Sequence, residues 1–263
     1  MFALNYVRAK SLKHAAELMA QNPEAKLLSG GMTLLPTLKQ RLARPSHLVD
    51  IGGLNTLRAI KFSSGKLTIG AAVRHHEVAS SPVVREAIPA LASLAHVIGD
   101  PQVRNMGTIG GSLANNDPAA DYPAAALALD ATIVTNRRRI KAKDYFQGMF
   151  ATALEEGEII VRITFPAPLK AAYEKFPHPA SGYAMTGSFV AITKRGVRVG
   201  ITGAAPGVFR WAKAERALKK NLAPDTLLKI KVPADGMNED IHATREYRAN
   251  LVNVMTRRAV AKL

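Results

Sequence analysis

The order of apolar and polar positions divides the chain into short strands, amphipathic helices and glycine-rich corners, without a clean strand–helix alternation. A strand over Ala3–Val7 leads to a helix capped by Ser11, with Leu12, Ala15, Ala16, Leu18 and Met19 along one side and Asn22-Pro23 as its stop. A strand at Ala25–Leu28, a corner at Ser29–Thr33 and a helix through Leu34–Lys39 follow, then a strand over His47–Ile51. Leu57–Val73 reads as a hairpin turning at Ser63-Ser64-Gly65, and Glu77–Ile98 as helix broken by Pro82 and Pro89. A second glycine-rich stretch, GDPQVRNMGTIGGSLANNDPAADYP, precedes an apolar run from Ala124 to Val134. Beyond it the pattern predicts a strand at Ile159–Phe165, a linker at Pro166-Ala167-Pro168 and a hairpin over Phe189–Ile201 turning at Lys194-Arg195-Gly196. Helices over Ala212–Asn221 and Thr244–Lys262 end the chain. The expected class is α+β, with a domain boundary near Pro166 to Ala172.

With 263 residues, 48% hydrophobic and 21% charged, the chain can bury one large core or two modest ones. Cysteine is absent, which excludes disulfides, a thiol nucleophile, Cys-ligated zinc and an iron–sulfur cluster held by this chain. No apolar h-region opens the sequence and no stretch reaches the ~18 apolar residues of a membrane span, so a cytoplasmic protein is expected. The formal charge of +16 raises the question of nucleic acid. However, the basic residues are scattered, Arg137–Lys143 is the only tight run, and aromatic residues, at 6%, leave little for base stacking. A solvated basic surface, or one that docks on an acidic protein, fits this distribution better.

Chemistry concentrates in the two glycine corners. At Ser29-Gly30-Gly31-Met32-Thr33 an apolar strand meets a helix, and consecutive glycines let a bulky anion approach backbone N–H groups. The same pattern also suits a plain strand–turn–helix corner. Asp50, 20 residues after Gly30, imitates the acid of a dinucleotide fingerprint, but Gly30-Gly31-Met32-Thr33-Leu34-Leu35 is not G-x-G-x-x-G. Gly107-Thr108-Ile109-Gly110-Gly111-Ser112 adds two hydroxyls, and Asn115, Asn116, Asp117 and Asp121 follow within a few turns. Two such corners about 80 residues apart suggest one long ligand with a pyrophosphate in its middle. His75-His76 lacks the carboxylate or histidine spacing of a metal site, Glu155-Glu156 reads as a turn, and Trp211 reads as a packed side chain.

The phrases SGGMTLLPTLKQRLARPSHLVDI, TIGAAVRHHEVASSP, PQVRNMGTIGGSLANNDPAADYPAAALALDA and KFPHPASGYAM, with the closing segment Asp240–Arg248 through Arg257-Arg258-Ala259, carry a resemblance. From near Tyr6 to the end, the chain resembles the FAD-binding medium subunit of the molybdenum-containing hydroxylases, the family of carbon monoxide dehydrogenase and xanthine dehydrogenase. The resemblance implies an FAD-binding domain of vanillyl-alcohol-oxidase (PCMH) type over residues 1–168, in two subdomains of about 1–55 and 56–168. A smaller C-terminal α+β domain with a three-stranded sheet would cover 169–263. By the same resemblance Lys26, Leu28, Ser29, Gly30, Gly31, Met32, Thr33 and Leu34 would wrap the pyrophosphate of FAD. Thr108, Ile109, Gly110, Gly111 and Ser112 would hold it from the other side. Asp121 would bind a ribose hydroxyl, Ile98 would lie against the flavin region, and Ile160 and Lys175 would finish the pocket near the isoalloxazine.

Gly182 departs from the basic residue that many relatives carry there. The absence of cysteine removes both the electron path of the benzoyl-CoA reductase branch and covalent flavin attachment through a thiol. The implied role is electron transfer, with no catalytic residue in this chain. The implied partners are a large molybdopterin subunit and a small 2Fe-2S subunit, as a dimer of heterotrimers, with an external electron acceptor. A stand-alone FAD oxidase or dehydrogenase and a basic nucleic-acid-binding module are the alternatives.

Overall fold

The computed structural model describes all 263 residues. Three sheets carry the architecture. The first sheet is parallel, in the order β1 (Asn5–Arg8), β3 (His47–Asp50), β2 (Lys26–Leu28). The connections run through α1 (Leu12–Gln21) and α2 (Leu34–Lys39). Ser11 caps α1 as expected, its hydroxyl accepting from the His14 N–H at 3.1 Å.

The second sheet begins with the hairpin of β4 (Ile60–Ser63) and β5 (Lys66–Gly70), whose turn places Ser64 and Gly65 at positive φ. Three short helices follow: α3 (His75–Ser80), α4 (Pro82–Ala87) and α5 (Pro89–His96). Pro82 and Pro89 each stand in a first turn, where the missing N–H costs nothing, so the expected breaks become new helix starts. Next come α6 (Pro101–Met106), α7 (Ile109–Asn115) and α8 (Tyr122–Ala128). The chain continues through β6 (Thr132–Thr135), β7 (Arg139–Lys141), α9 (Ala142–Tyr145), β8 (Phe146–Gly148), β9 (Ala151–Thr152) and β10 (Ile160–Pro166). The five-stranded order is β4-β5-β10-β6-β7, antiparallel throughout.

The third sheet is β11 (Lys170–Pro177), β12 (Ala184–Thr193), β13 (Gly196–Thr202) and β14 (Phe209–Arg210), in sequence order. Three long strands are present as expected, and a two-residue strand extends them. β11, which the hydrophobic pattern did not single out, pairs with β12 along its whole length. On one face lie α10 (Ala212–Lys220) and α11 (Arg245–Val260), packing Trp211, Leu218, Val252 and Ala259 against Val190, Val199 and Ile201. Against the other lies α8, so close that a Cβ on Gly200 would fall 2.2 Å from the Ala124 carbonyl. Tyr173, Phe189 and Ala191 therefore belong to the same core as Tyr122 and Phe165 of the second sheet's layer.

A charged clasp ties the β6–β7 hairpin to the segment entering β10. Both oxygens of the buried Glu158 carboxylate accept from Arg138, at 3.0 Å each, and further from the Thr135 hydroxyl (2.7 Å) and the Glu155 N–H (2.9 Å). Burial alone would push this carboxyl up, but the Arg138 guanidinium and the other donors outweigh it and hold it down at about 2. Since the folded value lies below the unfolded one, the stabilisation is complete above the unfolded value and is lost as pH falls through the folded one. Glu158→Gln is expected to lower stability by roughly 2–3 kcal/mol at neutral pH. In urea titrations the gap to the parent protein should narrow between about pH 5 and pH 2; a gap that does not change with pH would contradict this account.

Candidate functional site

A cleft of about 630 Å³ runs between the corner Ser29–Leu34, where β2 passes into α2, and the corner Gly107–Ser112, where α6 passes into α7. The two corners touch. A Cβ on Gly30 would lie 2.2 Å from the Met106 carbonyl oxygen and 2.8 Å from the Gly107 Cα, so only glycine permits this approach. The Thr108 hydroxyl donates to the Ser29 hydroxyl across the contact at 3.2 Å. Gly31 has φ +73°, the left-handed region, which turns the backbone into α2.

The two corners differ in what they offer a ligand. From Ser29 through Leu34, no backbone N–H finds an acceptor within the chain. Lys26, Leu28, Ser29, Gly30, Gly31, Met32, Thr33 and Leu34 all line the cleft, so six consecutive donors stand beside it. Such a run of N–H groups is an anion-binding concavity. At the second corner most donors are already used. Ile109 N–H donates to the Val73 carbonyl (3.0 Å), Gly110 N–H to the Ala71 carbonyl (2.9 Å) and Gly111 N–H to the Thr108 hydroxyl (3.2 Å).

The expected second glycine loop is in fact the first turn of α7, capped by Thr108. Ile109 is a correction. Its side chain is fully buried in the central core and its N–H is spent in a backbone pairing, so nothing of it faces the cleft. Thr108, Gly110, Gly111 and Ser112 do line the cleft, but Gly110 serves chiefly to let α7 pack on Ala71, where a Cβ would come within 2.5 Å.

Asp121 and Lys175 form a buried ion pair at one end, 3.0 Å apart and each about 95% or more buried. The same Asp121 oxygen accepts from the Tyr173 hydroxyl at 2.6 Å, and no other residue donates to its second oxygen. Burial outweighs the opposing pull of the Lys175 ammonium and the Tyr173 hydroxyl, so the Asp121 carboxyl lies above its ordinary value. Lys175 also donates to the carbonyls of Val97 (2.6 Å) and Gly182 (2.9 Å), so it braces the wall without lining the cleft itself. Gly182, at φ +69°, supplies that carbonyl in the left-handed region.

Ile98 and Tyr183 line this end. Ile160 lines the cleft, whereas Lys175 stands behind its wall. Ile160 lies on β10 in the second sheet, next to Ile159 and Glu158, and Lys175 is on β11 in the third. Asp50, the mimic of a dinucleotide-reading acid, is spent on the Tyr6 hydroxyl (2.6 Å) and the Gly52 N–H (2.8 Å).

Sequence reasoning missed His75 and Glu158 as wall residues of the cleft. His75 is buried under Gly107 and beside Tyr122, with ring centroids 5.4 Å apart, and its Nδ1 has no partner. Burial, aided by the nearby Arg104 charge, lowers its pKa to about 4, so the ring is neutral at physiological pH. The adjacent-histidine pattern carried no hint of this, because burial here comes from α6 folding over α3.

Comparison with known proteins matches residues 2–168 to the family described as FAD binding domain in molybdopterin dehydrogenase. The carbon monoxide dehydrogenase medium chain of Hydrogenophaga pseudoflava is 36% identical, over 97% of this chain and 95% of that one. The glyceraldehyde dehydrogenase medium chain of Sulfolobus acidocaldarius is 34% identical, over 97% and 96%. Among solved structures, quinoline 2-oxidoreductase from Pseudomonas putida 86 superposes with a TM-score of 0.91 at 29% identity, over 99% of this chain and 96% of that chain.

The contact at Gly30 makes a direct prediction. Gly30→Ala must move the two corners apart, at a cost of roughly 1–3 kcal/mol. Calorimetry should show Tm lower by about 2–10 °C; an unchanged Tm would mean that the corners do not hold each other.

Proposed function

The chain belongs to the family of FAD-binding domains in molybdopterin dehydrogenases, and on that footing we propose that it is the electron-transfer subunit of a three-subunit molybdenum hydroxylase. Its relatives are medium FAD subunits of oxidoreductases, and FAD is its cofactor. The residues fit that cofactor. The observation that carries the reading is the run of unpartnered N–H groups from Ser29 to Leu34, a ready match for a pyrophosphate that needs no counter-ion from the chain.

In this reading Ser29–Leu34 donate to the pyrophosphate, and Thr108 fixes the Ser29 hydroxyl beside it. Gly111 leaves that side of the cleft open, since a Cβ there would meet only the Thr108 hydroxyl, at 2.9 Å. The vacant oxygen of Asp121 accepts from a sugar hydroxyl, and Lys175 holds Asp121 in place. Ile98 and Tyr183 then flank the isoalloxazine. The slot of Ile51, Leu154, Ile159 and Ile160 takes the adenine at the opposite end. Bound FAD supplies the chemistry this chain lacks, accepting electrons singly from clusters and passing them on singly or in pairs. The chain's part is to hold, orient and shield it.

A chain without cysteine carries no iron–sulfur cluster, so the electrons reach it from another polypeptide. A small 2Fe-2S subunit and a large molybdopterin subunit supply them, in a heterotrimer that pairs into a dimer in the cytoplasm, with part of the +16 surface facing acidic neighbours. The oxidised substrate is then chosen on the large subunit.

Two measurements test the reading. Asp121→Asn removes a charge-assisted acceptor but keeps an oxygen for Tyr173 and Lys175, so the fold should stand. FAD affinity should fall about tenfold to a hundredfold, the equivalent of roughly 1.5–3 kcal/mol, in equilibrium dialysis; unchanged affinity would move the sugar contact elsewhere. The purified chain loaded with FAD should keep its flavin oxidised with carbon monoxide, aldehydes, alcohols or N-heterocycles as sole reductant, and lose its yellow colour when a reduced 2Fe-2S partner is added. Bleaching by one of those substrates alone would replace this role with that of a stand-alone dehydrogenase.

A further inference from the structure

An imidazole lies beneath the contact between the two corners. His75, the first residue of α3, is only 5% exposed, and its N–H donates to the Gly107 carbonyl at 2.9 Å. Its ring sits directly under Gly107, where a Cβ would fall 2.6 Å from Nε2 and 2.9 Å from Cδ2. Gly107 has φ −59° and ψ 142°, a conformation open to any residue, so it is the space taken by the ring that requires glycine. Gly107 is also a residue on which Gly30 closes, since a Cβ on Gly30 would lie 2.8 Å from the Gly107 Cα. Nε2, Gly107 and Gly30 thus follow one another across the contact, and all three residues line the cleft.

A neutral imidazole carries one N–H and one lone pair. Nδ1 is buried beside Tyr122 and has no partner. An N–H there would give up its water and find no acceptor, and a vacant lone pair is the lesser cost. The proton therefore belongs on Nε2, the nitrogen at Gly107. Donors around it are already committed. The N–H groups of Gly107, Ile109, Gly110, Gly111 and Ser112 are all bonded within the chain. The Thr108 hydroxyl donates to Ser29, and Arg104 holds the carbonyls of Ile98 and Gly99, both at 2.9 Å. A buried ring with a sealed lone pair and a donor turned to the cleft wall is an arrangement that folding itself does not use.

We propose that His75 is a cofactor-binding residue whose Nε2–H donates to the pyrophosphate of FAD from the second corner's side, facing the N–H groups of Ser29–Leu34. The proposal rests on the reading above that the pyrophosphate lies at the first corner. A bond from an N–H to an ionised phosphate oxygen is among the stronger kinds. The ring is fixed by its burial, so the bond forms without ordering a mobile side chain.

The test uses the full chain, with affinities read by equilibrium dialysis. The amide nitrogen of glutamine can take the place of Nε2, and that of asparagine the place of Nδ1. His75→Gln should keep FAD affinity within about threefold of the parent, and His75→Asn should lower it about tenfold. ADP, which carries the pyrophosphate without the flavin, should lose the same factor as a competitor of FAD in His75→Asn. Equal FAD affinities in the two variants, or unchanged competition by ADP, would overturn the proposal. Where a variant fails to fold, heteronuclear NMR of the histidine rings in the parent chain decides. His75 should show the neutral Nε2–H form, and that proton should shift and exchange more slowly with water once FAD or ADP is bound. A proton on Nδ1, or an Nε2–H signal indifferent to both ligands, would equally overturn it. A parent chain that takes up no FAD would sink the cofactor reading, whereas normal uptake with an indifferent His75 would sink this inference alone.

Discussion

The approach of Gly30 to the Met106 carbonyl is the constraint on which the cleft depends. Backbone meets backbone there, with no side chain between, and the separation is smaller than any Cβ allows. That contact fixes the distance between the first sheet's corner and the α6–α7 corner, and with it the width of the groove. It also lets the Thr108 and Ser29 hydroxyls bond each other. Six backbone N–H groups without an acceptor in the chain are thereby held beside the cleft before any ligand arrives. Preorganisation of this kind is worth more than the bonds counted singly, because the ordering entropy has been spent in folding.

The corners look alike in sequence yet do unlike work. Both are glycine pairs next to Ser or Thr, and sequence alone assigns both to phosphate. Hydrogen-bond accounting separates them: a donor already satisfied within the chain is unavailable to a ligand, and Ile109 and Gly110, on backbone carbonyls, and Gly111, on the Thr108 hydroxyl, are all in that state. The second corner is thus a brace, and its glycines permit helix α7 to sit against Ala71. The first corner is the donor set. Similar composition conceals this difference because the acceptors of Ile109 and Gly110, Val73 and Ala71, belong to a segment more than thirty residues upstream, just beyond β5.

Much of the fold was legible for a local reason. Ser11, Pro82, Pro89 and Thr244 act within one turn of themselves, and the elements they bound appear where the pattern put them. The residues that escaped are those whose state is decided at long range. Lys170–Pro177 carries two lysines and a glutamate and does not alternate, because one side of the strand meets α11 and the other the helical layer of α5. Lys175 reads as a surface charge until Asp121, 54 residues away, is brought to 3.0 Å. Glu158 sits in the acidic run EEGE, which reads as solvated, and is buried only because Arg138 folds over it. Periodicity sees a residue's neighbours along the chain, whereas a buried charge is made by neighbours in space.

The third sheet belongs to the site as much as the first two do. It provides Lys175 and, through the turn that follows β11, Ser181 and Tyr183 at the mouth. Its far side is locked by α11, where Arg248 reaches across to the carbonyls of Met185 and Gly203 and to Asp240. Residues 2–168, which match the family of FAD-binding domains, contain all six open donors of the first corner. They lack the lysine paired with Asp121 and the tyrosine at the mouth of the cleft. The open donors of the first corner and the Lys175 brace on Asp121 are therefore supplied by different parts of the chain, and the common core of Tyr122, Tyr173 and Phe189 is what holds the two in register.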